Sequence, residues 1–502
     1  MTCCSLVTIE ASRSTESINN YQRPTSNAIG KMDQTDSTVC GEPEERRHQP
    51  KRQRIVEGSC WPCKQRRVKC DLQKSSCRRC VLSGTQCSYD KLVLRWRGRP
   101  TRTAPFLQQV FSDVADGSGT PLATNERRAL DYFKARLWPL LSTADRPCSP
   151  PISLALRSRP VLQAACIFAE SHRALQERGQ SREALMSRRL NCMASIRGQL
   201  GSDSAERQML DCLLVAVLLL YLLDGFVDCN QQHASTQAHY AGVLAILDAL
   251  GGFESAWKSS ERETCMLLSE FASTDLTDAL LQGRKPCFPP TIWQQIQSGP
   301  VWWQTTSQGT RSLASVLGTM AEMAFYSQDI RDGQELCRDK VVEFERALQP
   351  TYSILESDTF MEKELVRASD PARMPEVFAN AFVRAFQHAG LIYLYRVICN
   401  LPTRHLLLQQ HVHACLDCIQ GIDLNCKAQN CALFPLYVAG AHSLSKVHRD
   451  CVLLRLDGIY AALRFEAVLS IRAALESLWK SERQLETWSS AFQDLAVGTL
   501  VL

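Results

Sequence analysis

Cys60–Cys70 reads CWPCKQRRVKC and Cys77–Cys87 reads CRRCVLSGTQC; both follow C-x2-C-x6-C, and the second copy begins 17 residues after the first. Their decoration is unequal. Between its last two cysteines the first copy carries Lys64, Arg66, Arg67 and Lys69, whereas the second carries the uncharged run Val81 to Gln86. The 502-residue chain holds 23 cysteines, but only these six are strictly spaced. Several others, such as Cys166, Cys212, Cys399 and Cys451, fall in apolar helical patterns, where cysteine acts as a small hydrophobe. The N-terminus, MTCCSLVTIEASRSTESINN, lacks the basic start and apolar core of a secretory leader. The longest apolar run, Cys212 to Leu223, is 12 residues long, against the ~18 of a membrane span. A soluble, intracellular protein without a membrane partner is expected, and with it reduced cysteines.

Reduced cysteines at this spacing are metal ligands. Zinc takes four soft donors in a tetrahedron, and each C-x2-C turn delivers two thiolates to one ion. Six thiolates, Cys60, Cys63, Cys70, Cys77, Cys80 and Cys87, complete two tetrahedra only by sharing two sulfurs. The equivalent positions Cys60 and Cys77 are the candidates for sharing. Two zinc ions with six thiolates leave a formal charge of −2, which the nearby Lys and Arg offset. A module this short has almost no apolar core, so metal binding supplies most of its folding free energy.

Charge points to a polyanionic partner. Residues 51–102 hold fifteen Lys or Arg against Glu57, Asp71 and Asp90, a net +12; the whole chain is +5, which leaves about −7 elsewhere. The block of six cysteines, the KQRRVKCD run, Gly84 and Tyr89 together resemble the fungal binuclear zinc cluster DNA-binding domain. In that family the first and fourth cysteines bridge the two metals, which corresponds to Cys60 and Cys77. One position departs from it: a proline common two residues before the fourth cysteine is Ser75 here.

A regular helix from Cys63 to Cys70 would place Arg67 on the face of both cysteines, aimed at the metal. The helix is therefore expected to end near Arg67, with Pro62 in its first turn and cations in its last. The resemblance implies that this helix end enters the major groove of double-stranded DNA and that a basic pair reads a CGG triplet. Arg67 matches the principal base-reading position, with Arg66 beside it. A bidentate Arg–guanine contact gives about 1–3 kcal/mol of discrimination. Lys64 and Lys69 are expected on phosphates.

Other constellations are weaker. Arg97 and Arg99 lie in RGRP, a minor-groove or phosphate-contact element in a basic linker. Cys415, Cys418, Cys426 and Cys431 follow His411, the makings of a second zinc site, but His411, Cys415 and Cys418 sit at helical spacing amid Val412, Leu416, Ile419 and Ile422, as packing residues do.

The organisation follows. Residues 1–45 are polar and expected to be disordered; 46–59 form a basic arm suited to a nuclear localisation signal; 60–87 are the zinc cluster; 88–124 are a basic linker without coiled-coil heptads. From 125 to 502 the pattern is all-α, one extended bundle or two packed ones. Helices are predicted over Ser235–Leu250, stopped by Gly251-Gly252, over Val377–Ile398, and over Leu453–Trp479. Strings such as LDCLLVAVLLLYLLDGF, with His239, and LFPLYVAGAHS, with Pro435, resemble the fungal-specific transcription factor domain.

No P-loop, GxSxG, HExxH, dinucleotide fingerprint or DDxxD-like run occurs, so no catalytic activity is expected. The reading is a nuclear, zinc-dependent, sequence-specific regulator of RNA polymerase II genes. It would work with the transcription machinery or co-regulators. At the family level it is expected to activate a pathway or a biosynthetic gene cluster of secondary metabolism. The sequence leaves activator or repressor, and monomer or homodimer, open. The tail ETWSSAFQDLAVG mixes acids with aromatics as activation segments do, and a final helix explains it equally well. An RNA-binding or scaffolding zinc module is the alternative of another class, disfavoured because stacking aromatics are sparse around the cysteines.

Overall fold

The structure is a computed structural model. It describes residues 59–89, apart from 61, 64, 65, 67 and 88, and residues 122–502, apart from 145, 177–181, 201–205, 230–235, 298, 305–310, 351–373 and 482–486. The predicted disordered segment, all of the basic arm but Ser59, nearly all of the linker and Arg97 and Arg99 lie outside the described residues, as do Lys64 and Arg67. The chain divides into two compact units, Met1–Thr101 and Arg102–Leu502.

The first unit contains the cysteine block, whose second copy forms a short helix, α1 (Arg78–Leu82), and whose first copy is helical at Pro62 and Cys63. The second is helical throughout, with no strand among its described residues. It opens with α2 (Thr124–Tyr132), α3 (Ile152–Arg157), α4 (Arg159–Gln176), α5 (Arg182–Leu200) and α6 (Arg207–Leu222). Then come α7 (Thr236–Ala249), α8 (Phe253–Ser259), α9 (Arg262–Gln282), α10 (Ile292–Ile296), α11 (Leu313–Arg331) and α12 (Arg338–Leu348). The rest is α13 (Met374–Tyr393), α14 (Leu406–Gln420), α15 (Leu433–Ala441), α16 (Lys446–Leu463) and α17 (Glu466–Lys480). One continuous apolar core runs from Ala129 to Leu502, so the choice between one bundle and two falls on one.

Helix α6 is apolar on every side, the signature of a central helix. It packs between α4 and α7. With the π turn Leu223–Val227 it extends to 21 residues, long and apolar enough to cross a membrane, but 83% of its most apolar stretch is buried within the domain. The 12-residue limit read from sequence thus understated the element, because the helix continues through Asp224. That fully buried carboxylate is ion-paired with Arg189 of α5 and lies 3.3 Å from His239 of α7. The charge therefore enters the core with its partners, as a buried ion requires.

Two predicted helices shift. The Val377–Ile398 helix starts earlier, at Met374, because Pro375 occupies the first turn, where its missing N–H costs nothing. The single helix expected over Leu453–Trp479 is two, α16 and α17, broken at Arg464, whose φ is +57°. No Gly or Pro marks this break. Tertiary contacts supply it: Phe465 stacks on Phe226 at 5.7 Å and meets His172 edge-on at 5.6 Å.

The tail is also not the final helix considered above. Beyond a short 3-10 turn at Ser489–Ala491 it threads into the core. The Trp488 indole donates to Leu280 C=O at 2.7 Å, Thr277 Oγ1 to Val501 C=O at 2.7 Å, Leu500 N–H to Gly225 C=O at 3.0 Å and Leu433 N–H to Leu502 C=O at 2.8 Å. Trp488 and Phe492 are buried, so among the described residues the segment's aromatic side chains are packed into the core. The scattered cysteines divide likewise: Cys166, Cys415, Cys418 and Cys431 are buried, while Cys212, Cys399, Cys426 and Cys451 are half-buried. The Cys415 thiol donates to Ala385 and Pro435 carbonyls, the bonding of a packed thiol.

Candidate metal centre and nucleic-acid interface

The 17-residue repeat is visible in the backbone. In the second copy, Thr85 N–H donates to Cys80 C=O at 3.0 Å and Gly84 N–H to Val81 C=O at 3.2 Å, closing α1 in a Schellman turn with Gly84 at φ +61°. In the first copy, Val68 N–H donates to Cys63 C=O at 3.1 Å and Arg66 N–H to Pro62 C=O at 3.1 Å. The Val68 bond repeats that of Thr85 displaced by 17, and the Arg66 bond repeats that of Ser83 N–H to Arg79 C=O at 3.3 Å, so the helical turn that holds Pro62 closes before Val68, as the face argument requires. Arg67 occupies the position equivalent to Gly84.

The turns converge six sulfurs. Sγ atoms of Cys60, Cys63, Cys70 and Cys77 all lie within 4.8 Å of one another, as do those of Cys60, Cys77, Cys80 and Cys87. The two sets share Cys60 and Cys77. Sulfurs 2.3 Å from a tetrahedral zinc are separated by about 3.8 Å. Here Cys60–Cys77 and Cys63–Cys77 are 3.6 Å apart and Cys60–Cys70 3.8 Å, so the donor set fits two zinc ions. Burial pushes the Cys60 thiol up and Cys63 up to about 12. Without a cation these sulfurs would hold their protons; a divalent ion among them reverses that preference.

Surrounding donors orient the sulfurs. Leu72 N–H points to Cys70 Sγ at 3.4 Å, Cys77 N–H to Cys87 Sγ at 3.2 Å and Cys80 N–H to Cys77 Sγ at 3.4 Å, which is how an outer shell stabilises thiolates. The two copies are also tied outside the metal. The Asp71 carboxylate accepts from Arg78 N–H at 3.0 Å, and the Tyr89 hydroxyl donates to Gln73 C=O at 2.8 Å while lying 3.7 Å from Cys70 Sγ. Asp71 thus caps the first N–H of α1 from seven residues away, a contact that the local spacing around Cys77 does not signal. The peptide bond before Ser75 is cis.

The basic residues are placed unequally. Lys69 is exposed. Arg66 is exposed as a residue, yet its Nε donates to Pro62 C=O at 3.3 Å and its Nη2 to Cys80 Sγ at 3.5 Å. Its cation thus leans on a sulfur of the opposite copy. Val81 and Leu82 are 65% and 81% exposed. The uncharged run Val81–Gln86 is therefore held by the turn's backbone and by Ser83 and Thr85, whose hydroxyls bond at 3.0 Å, and not by apolar packing.

A binuclear zinc–thiolate module with a cationic turn, followed by a large helical domain, defines a zinc-dependent DNA-binding regulator. The comparisons agree: the family model for the fungal specific transcription factor domain matches residues 128–501, and that for the fungal Zn(2)-Cys(6) binuclear cluster domain matches residues 58–95. The chain belongs to the fungal-specific transcription factor domain family and binds two zinc ions. Comparison with curated proteins and with solved structures gave no match.

Proposed function

We propose that the chain is a nuclear, sequence-specific regulator that reads CGG-like triplets in the major groove through the first cysteine copy. The supporting observation is the pair of four-sulfur sets sharing Cys60 and Cys77, with Arg66 in the turn that follows Cys63. In this reading Cys60, Cys63, Cys70 and Cys77 hold one ion, and Cys60, Cys77, Cys80 and Cys87 the other. Zinc supplies the fold; the chain's own residues do the reading. Arg67 contacts guanine, Arg66 stands beside it with its guanidinium also neutralising Cys80, and Lys64 and Lys69 hold phosphates. Arg97 and Arg99 extend the contact along the linker.

The family resemblance supports an activator of pathway or biosynthetic-cluster genes, acting on RNA polymerase II through co-regulators. A fusion of residues 103–502 to a foreign DNA-binding domain reads the sign of regulation, and the footprint, one triplet or two, separates monomer from homodimer. The central test is selection of bound sites from random DNA by the zinc-loaded chain. Enrichment of CGG that is lost in Arg67→Ala is expected; CGG selectivity that survives in Arg67→Ala refutes the assignment.

A further inference from the structure

Helices α14 and α16 lie side by side and are pinned at two places. Gln409 Nε2 of α14 donates to the carbonyl of His442, just before α16, at 3.0 Å, and Arg455 of α16 donates to the carbonyls of Ile419 and Ile422 around the end of α14. Between these pins His413 of α14 meets His448 of α16, with His413 Nδ1 3.3 Å from His448 Nε2. The ring centroids are 5.3 Å apart and the ring planes differ by 21°, so the two nitrogens lie on facing ring edges. His413 Nε2 lies 3.2 Å from the Asp417 carboxylate, one turn further along α14. His448 Nδ1 is buried without a hydrogen-bond partner, which leaves Nε2 as the nitrogen of that ring facing the gap.

Two nitrogens bound at 2.0–2.1 Å to a tetrahedral zinc stand about 3.3–3.4 Å apart, the spacing found here. A ligating imidazole commonly donates its other N–H to a carboxylate, which fixes the tautomer and raises the basicity of the ligating nitrogen. Asp417 occupies that place: with Nε2–H directed to it, His413 presents the Nδ1 lone pair to the gap. Imidazole donors favour ions of the zinc and nickel class over Mg2+ or Ca2+. Among the described residues, the groups of three or more His, Cys, Asp or Glu donors in mutual reach are the cysteine sets alone. Water therefore completes the coordination, and the ion is held more weakly than in the thiolate cluster. We infer that His413 and His448 form a third metal site, a labile one for a divalent transition ion, with Asp417 as its positioning residue. The ion ties α14 to α16, so the stability of this part of the helical domain follows the supply of the labile ion. A second histidine pair, His388 and His411, has Nδ1 atoms 3.0 Å apart. However, His388 is 4% exposed, whereas the His413 side chain is 62% exposed, and a two-histidine site needs water for its remaining ligands. The proposed site is independent of the zinc module and of the DNA-reading assignment.

The test is calorimetric titration of the full-length, zinc-loaded chain with Ni2+ in chelator-free buffer, with Mg2+ as the hard-ion control and elemental analysis of zinc before and after. One Ni2+ per chain is expected beside the two retained zinc ions, released again on dialysis, with no response to Mg2+. Asp417→Ala removes the outer partner and should weaken Ni2+ about tenfold, and Asp417→Glu should recover most of that loss. His413→Gln and His448→Gln each remove a ligand and should weaken Ni2+ more than Asp417→Ala does. Both should also abolish the rise in melting temperature that Ni2+ gives the parent. His413→Gln, largely in solvent, should melt like the parent in the absence of Ni2+, which separates lost binding from lost folding. His411→Gln should leave the affinity unchanged. No Ni2+ binding, displacement of zinc by Ni2+, parental affinity in His413→Gln or His448→Gln, or loss of binding in His411→Gln would each overturn the proposal.

Discussion

Gly225 lies in the helical turn that ends α6, where replacing glycine by alanine ordinarily stabilises by about 1 kcal/mol. Here the opposite sign is expected. A Cβ at 225 would stand 2.2 Å from Leu500 Cγ and 2.3 Å from its Cδ1. Leu500 cannot readily retreat, because it is buried and its N–H is bonded to the Gly225 carbonyl itself. Overpacking of this kind costs about 1–3 kcal/mol. Leu500→Ala alone empties a core position and should cost about 2–5 kcal/mol. In the Leu500→Ala background the two overlapping atoms are gone and only Leu500 Cβ, at 3.2 Å, remains. There Gly225→Ala should cost nothing or return up to ~1 kcal/mol, so the two changes couple by roughly 1–4 kcal/mol. Urea denaturation followed by circular dichroism gives the four stabilities, and limited proteolysis of residues 487–502 reports whether the tail has left the core. A Gly225→Ala protein as stable as the parent, or one whose penalty is the same in both backgrounds, would refute the docked tail.

Three further outcomes are expected. Cys60→Ser or Cys77→Ser removes a shared ligand and should take bound zinc from two ions per chain towards none, whereas Cys63→Ser or Cys87→Ser should leave one; elemental analysis after dialysis decides. Lys69→Ala should weaken all DNA sequences alike and lower the slope of log affinity against log salt by about 1, read by fluorescence anisotropy across a salt series. Glu270 of α9 is fully buried, its Oε2 has no hydrogen-bond partner, and burial holds its pKa well above the usual carboxyl range. The folded state keeps this proton where the unfolded chain has released it. Its contribution to stability is therefore complete below about pH 4.3 and is lost as pH rises towards the folded pKa, by at most about 1.4 kcal/mol per unit. Glu270→Gln should flatten that decline between pH 5 and 7, and identical slopes for the two proteins in urea titrations would contradict it.

The metal chemistry was legible in the sequence because its determinants are local. Ligand number, thiolate softness and the C-x2-C turn fix the donor set without reference to any other part of the chain. The 17-residue offset likewise fixed which bonds recur, down to the turn that closes at Thr85 and again at Val68. Helix content was legible from periodicity, and α7 ends at its glycines as read, with Gly251 and Gly252 both at positive φ.

Contacts across the fold decided the rest. The break at Arg464 carries no local signal and arises where Phe465 meets Phe226 and His172. A charged residue within an apolar run read as the end of an element, whereas Arg189 and His239, far away in sequence, allow Asp224 to remain inside it. Arg66, placed by its position beside the base-reading residue, has the Cys80 sulfur, 14 residues on, against its guanidinium. The tail's acids and aromatics have one composition whether exposed or docked, and only the cleft of Gly225, Leu280 and Leu433 draws it in. Spacing along the chain determined what this protein can ligate; which charges meet, and which segments are hidden, was settled by packing, because burial and pairing depend on neighbours the local sequence does not name.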